Sequence, residues 1–142
     1  MTGALALLGT LVLASVVGVV LRSRAGRVST RHKASDRSTL PADVTALVDP
    51  AAAVTLVQLT TTFCAPCRQA RVLLADLARR TDGVHHTELD LTERPDLARE
   101  LSVLRTPTTL AVDRAGTELL RVGGVPKRDT LLDALRPHLA SV

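Results

Sequence analysis

The chain has 142 residues and a mass of 15.1 kDa, room for one compact domain and a short extension. Its hydrophobic share is 46%, yet it holds one Phe and no Trp or Tyr, so the aromatic platforms on which single-stranded nucleic acid stacks are missing. The formal charge of +4 does not restore a nucleic-acid partner: six Lys or Arg fall in residues 22–37 against one acid, and from position 38 onward twelve basic residues face thirteen acidic ones.

Residues 1–21 carry no charge, and 3–21 read GALALLGTLVLASVVGVVL. At about 1.5 Å per residue this stretch spans roughly 28 Å, close to the hydrocarbon thickness of a bilayer, so a transmembrane helix is expected over 3–21. A cleaved signal peptide is the competing reading. It normally has positive charge ahead of a shorter apolar core and closes on a small-x-small site, and neither mark is present. The nearby cations (Arg22, Arg24, Arg27, Arg31, Lys33 and Arg37) all follow the span. The positive-inside rule then places the C-terminal part in the cytoplasm, as a single-pass protein of the cell membrane with lipid as a partner of the helix. Residues 22–40 are polar, basic and Ser-rich without an apolar period, the composition of a flexible linker.

A globular pattern fills 41–142. Residues 42–48 form a short apolar-leaning segment of open type. Val54–Leu59 is a β-branched apolar run that fits a buried strand. From Cys67 the period becomes helical, with Ala70, Leu73, Leu74 and Leu77 on one face and Gly83 as the expected stop. His86–Leu91 alternates as a strand does, and Pro95 can open a helix through Leu97 and Leu101. Thr108–Val112 and Thr117–Val122 read as a strand pair around a turn at 113–116. Gly123-Gly124 then breaks the chain, and Pro126 can start a last helix carrying Leu131, Leu132, Leu135 and Leu139. The order strand, helix, strand, helix, strand, strand, helix implies an α/β fold. Its early alternation points to parallel pairing and its closing hairpin to an antiparallel edge, in one mixed sheet with helices on both faces.

Chemistry concentrates in Phe63-Cys64-Ala65-Pro66-Cys67-Arg68, where a buried strand ends and a helix begins. Unpaired N–H groups and the dipole at a helix N-terminus favour a thiolate, so Cys64 is expected to ionise more readily than a free thiol and to be the nucleophile. Cys67, inside the first turn, is placed to close a disulfide with it. Pro66 restricts the backbone without removing a needed hydrogen bond. Such a pair can attack a substrate disulfide through Cys64 and resolve the mixed disulfide through Cys67. Two other readings share the motif: half of a zinc site, with His85-His86 as the other half, and a structural cysteine pair. Adjacent histidines at a strand start point to opposite faces, which disfavours the metal, and both are expected at the surface. No metal ligand set and no cofactor-binding motif is assigned.

These features resemble the thioredoxin family: the C-x-P-C turn after a strand, Thr106-Pro107-Thr108 before the next-to-last strand, and Gly123-Gly124 after the last, over about residues 52–140. The resemblance implies a thioredoxin-like domain whose catalytic residues are Cys64 and Cys67. Phe63, Ala65, Pro66, Thr106, Pro107 and Gly123 would form the substrate-binding surface. It further implies a cis bond before Pro107 and a Thr106 hydroxyl near the Cys64 sulfur. The chain departs from the family at Phe63 (usually Trp), at Ala65 (usually Gly) and at Gln58, which stands where the family has a buried acid and cannot exchange a proton at neutral pH. Only residues 41–51 remain for the family's first strand and helix.

The expected activity is thiol–disulfide exchange, reducing protein disulfides at the cytoplasmic membrane face, with a dithiol protein as electron donor. An extracytoplasmic oxidase, isomerase or cytochrome-maturation reductase uses the same chemistry. A non-catalytic metal-binding or redox-sensing module would use the same pair without turnover.

Overall fold

A computed structural model describes residues 2–24, 28–30 and 40–140. Helix α1 (Thr2–Arg24) comes first, followed by strand β1 (Val28–Thr30) and the short helix α2 (Ala42–Thr45). Strand β2 (Val54–Thr60), helix α3 (Ala65–Arg80), strand β3 (Val84–Asp90) and helix α4 (Pro95–Glu100) form the middle. Strands β4 (Thr108–Asp113) and β5 (Glu118–Gly123) and helix α5 (Arg128–Leu139) complete the chain. The strand–helix order expected from residue 54 onward is thus present.

The five strands form one sheet in the order β1-β5-β4-β2-β3. β2 and β3 run parallel, joined by α3, while β4 lies antiparallel to both β2 and β5. The helix before β4 therefore does not deliver a third parallel strand. The connection over 91–107 is long enough for a parallel crossover, but β4 instead enters antiparallel beside β2, on the side away from β3.

β2 is buried at every position, as a central strand covered on both faces must be. Val54 and Leu56 face a core with Ala70, Leu74 and Leu77 of α3, Ala111, Leu120, Val122, and Leu131 and Leu135 of α5. Val57 and Leu59 face the opposite core with Val44, Leu91, Leu97, Leu101, Leu110 and Val112. The segment of open type at 42–48 thus supplies α2, whose Val44 is fully buried. Arg94 ties α4 to α2 through Asp43 at 2.7 Å.

Three local expectations change. Helix α3 stops at Arg80 because Thr81 turns extended. Gly83, with φ of +79°, serves the following turn instead, where its carbonyl accepts from Val54 N–H. α5 begins two residues after Pro126, with Lys127 at its N-cap. Within the stretch expected as a linker, Val28–Thr30 pairs antiparallel with Thr30↔Leu120 and Val28↔Val122, covering the β5 edge.

Among the described residues no helix is long and apolar enough to cross a membrane. The side chains of α1 are described over residues 7–20, a stretch of roughly 21 Å. The transmembrane helix expected over 3–21 is therefore not shown.

Candidate active site

The chain reverses at the end of β2 and enters α3 through Cys64, which is the N-cap residue with an extended backbone. Its sulfur accepts a hydrogen bond from the Cys67 backbone N–H at 3.2 Å, and its carbonyl accepts from the same N–H at 3.1 Å. Those contacts satisfy one of the donors left free at a helix start. Pro66 stands in the first turn, where no N–H is required. Cys64 and Cys67 are joined by a disulfide with a Cα–Cα separation of 5.2 Å.

Both sulfur-bearing residues are largely covered, Cys64 being 8% and Cys67 2% exposed, whereas Phe63 is 99% exposed. Ala65 and Pro66 are also exposed. The Thr106–Pro107 bond is cis, as the resemblance implied. Sheet register brings this loop to the cysteines: Leu59 of β2 opposes Thr108 of β4, and Thr108 opposes Gly123 of β5. The Pro107 carbonyl accepts from Gly124 N–H at 2.7 Å, and the Thr106 and Thr61 hydroxyls meet at 3.3 Å. The Thr106 hydroxyl, expected near the Cys64 sulfur, thus has Thr61 as its partner. Phe63, Thr106, Pro107 and Gly123 accordingly lie on loops or at a strand end, and Ala65 and Pro66 in the first turn of α3, all at one end of the sheet.

Beneath the pair, Gln58 is fully buried, and its Nε2 donates to the Cys67 carbonyl at 2.9 Å. Turning the amide over would set two acceptors against each other, so its Oε1 faces His86 Nε2 at 3.3 Å and accepts from that ring nitrogen. His86 is consequently not a surface residue as expected. It is half-buried, and burial holds its pKa below the ordinary histidine value while the Glu88 carboxylate pulls it upward. His85 points the other way, to Asp49 at 3.6 Å, so the two histidines do take opposite faces. Among the described residues no group of three or more His, Cys, Asp or Glu side chains is arranged to hold a metal ion.

Sequence reasoning missed His86, Glu88 and Thr109. Glu88 and Thr109 are the register partners of Gln58 on the two neighbouring strands. The alternation of His86 with Glu88 was readable, but which strand they would lie beside was not.

A covered disulfide at the start of the helix that follows a central strand, beside a cis-proline loop, defines a thiol–disulfide exchange protein. Residues 39–137 match the family model described as Thioredoxin. The chain belongs to the thioredoxin family, whose members are protein-disulfide oxidoreductases. It is 32% identical over 87 residues to the thioredoxin of Staphylococcus saprophyticus, covering 61% of this chain and 83% of that one. It is 33% identical over 72 residues to Thioredoxin H2 of Arabidopsis thaliana, 51% of this chain and only 53% of the relative. Among solved structures, the thioredoxin NaTrxh of Nicotiana alata superposes with a TM-score of 0.53 at 28% identity, covering 61% of this chain and 73% of that chain.

Proposed function

We propose that this chain reduces disulfides of protein substrates at the cytoplasmic face of a membrane, with Cys64 as attacking thiolate and Cys67 as resolving thiol. The observation that carries the division of labour is the Cys67 N–H aimed at the Cys64 sulfur at 3.2 Å. A donor fixed on that sulfur stabilises negative charge there, and the helix dipole adds to it.

In the proposed cycle the Cys64 thiolate attacks one sulfur of the substrate disulfide, and the other substrate sulfur leaves as a thiolate. Cys67 then attacks Cys64 Sγ, the first substrate sulfur departs, and the Cys64–Cys67 disulfide forms. Two electrons pass to the substrate, and a dithiol donor protein returns them. The exposed Phe63, Ala65 and Pro66 and the Thr106-Pro107 loop with Gly123 offer the surface that would meet the substrate chain.

The membrane attachment rests on the uncharged run 3–21 and on the described part of α1. Leu7, Leu8, Leu11, Val12, Leu13, Val16, Val17, Val19 and Val20 are all exposed there, on every side of the helix. A helix apolar all round requires a protein core or lipid to cover it. The six cations that follow support the cytoplasmic orientation.

The test is insulin reduction by the full chain in mild detergent, with Cys64→Ser as control, joined to labelling of intact cells by a membrane-impermeant thiol reagent. Turnover no better than the control would defeat the reductase reading. Labelling of Cys64 from outside would defeat the orientation. Cys67→Ser should accumulate a mixed disulfide through Cys64, seen as a mass increase equal to the bound substrate.

A further inference from the structure

Cys67 must lose a proton before it can attack, and its setting works against that loss. It is 2% exposed, and burial favours the neutral thiol. Its side-chain neighbour beneath, Gln58, is a carboxamide that takes up no proton near neutral pH. His86 is committed as well, since its Nε2 donates to Gln58 Oε1.

Among the described residues, two buried side-chain oxygens lack a hydrogen-bond partner, Glu88 Oε2 and Thr109 Oγ1. They are the residues opposite Gln58 on its two flanking strands, in the registers Gln58↔Glu88 and Gln58↔Thr109. Paired residues of neighbouring strands present their side chains to the same face, so the three make one polar row across the sheet. Helix α3 lies over that row. The other oxygen of Glu88 is held by Arg71 Nε of α3 at 2.6 Å. Arg71 is four residues after Cys67 and therefore one turn along the same helix face. Gln58 reaches the Cys67 carbonyl from one strand, while Glu88 reaches the next turn of the same helix from the neighbouring strand.

We propose that Glu88 is the proton acceptor for Cys67. One Glu88 oxygen is anchored by Arg71, and Oε2 receives the Cys67 thiol proton through one solvent molecule in the polar row. The Cys67 thiolate then forms its bond to Cys64 Sγ as the bond from Cys64 to the substrate sulfur breaks. The substrate leaves as a thiolate, which takes up the proton released from Glu88. The titratable and charged groups facing Glu88 are Arg71 from α3 and His86 along β3. This inference rests on the division of labour between Cys64 and Cys67 proposed above.

Stopped-flow reaction of the reduced full chain with Ellman's reagent tests it, because each step releases one coloured thiolate. The first phase reports attack by Cys64, and the second reports resolution by Cys67. Wild type, Glu88→Gln and Arg71→Ala are compared from about pH 6 to about pH 9, across the ordinary thiol range. Glu88→Gln is expected to keep the first phase and to slow the second by roughly 10²-fold at neutral pH, with a rate that climbs with hydroxide. Arg71→Ala removes the anchor but keeps the carboxylate, so its second phase should slow by no more than about tenfold, well short of Glu88→Gln. A second phase in Glu88→Gln that matches wild type at every pH would overturn the proposal. So would an equal loss in Arg71→Ala, which would make the ion pair alone responsible. A wild-type chain with no second phase would instead refute the resolving role of Cys67, a failure of the underlying reading.

Discussion

Leu56 lies at the centre of the domain, and truncating it to Ala tests how the active-site helix is held. Its side chain is fully buried on the face of β2 that packs against Ala70, Leu74 and Leu77 of α3. Removing three carbons forfeits about 2.4 kcal/mol of transfer free energy at ~0.8 kcal/mol per methylene. A central strand paired on both sides cannot move to refill the space, so a cavity contribution brings the loss to about 3–4 kcal/mol. For a domain of this size that lowers the unfolding midpoint by roughly 12–25 °C. Val72→Ala is the control: it sits on α3, the helix that Leu56 packs against, is 71% exposed, and should change stability by less than about 0.5 kcal/mol. Denaturant unfolding of the oxidised full chain in non-ionic detergent, followed by circular dichroism, measures both. If Leu56→Ala cost less than about 1 kcal/mol, or no more than Val72→Ala, the contact between α3 and β2 would not be the source of stability argued here. Insulin reduction per folded molecule should persist at low temperature, since Gln58 and both active-site loops keep their contacts.

Three further outcomes are expected. Asp76 on α3 receives hydrogen bonds from Arg80, from Arg128 of α5 and from Arg79, Arg80 contributing most, and its pKa is lowered to about 2 from 3.8. A carboxylate with a lowered native pKa stabilises the fold above its unfolded pKa, and that stability is lost as pH falls toward the native value. Asp76→Asn should therefore be less stable than wild type near neutrality, and the difference should shrink between about pH 4 and about pH 2 in acid titrations. A constant difference across that window would contradict the ion-pair origin. Gly83 has φ of +79°, and a Cβ there would stand 3.3 Å from Ala53 Cβ. Gly83→Ala should cost about 1–2 kcal/mol in denaturant unfolding, chiefly from the left-handed backbone. Gly9→Ala, with nothing within 4 Å of its Cβ, should leave the domain's unfolding midpoint unchanged.

The site shows where sequence patterns stop carrying information. The C-x-P-C turn between a buried run and a helical period was readable because both patterns are local: each is set by backbone geometry within a few residues. The cis bond before Pro107 was legible only through the family resemblance, since the local sequence Thr-Pro-Thr suits an ordinary strand entry equally well. Gln58 was singled out only through the family resemblance, as the residue standing where the family has a buried acid. What surrounds it was not legible, because Glu88 and Thr109 are 30 and 51 positions away along the chain and meet Gln58 only through strand register. His86 was misplaced for the same reason. Alternation assigns it a face, but only the packing of α3 over β3 decides that this face is covered.

By itself the sequence determined the sequence of elements from residue 54 onward, the dithiol motif at a helix start, and the concentration of positive charge in 22–37. Those follow from apolar periodicity, from the amide groups and dipole at the start of a helix, and from simple counting of charges. Tertiary structure alone decided that β4 runs antiparallel to β2, that Val28–Thr30 closes the sheet edge, and that a polar row lies under Cys67. Each of these depends on which strands become neighbours. Pairing is chosen by the burial of whole faces and the length of the connections, quantities that no short window of residues contains.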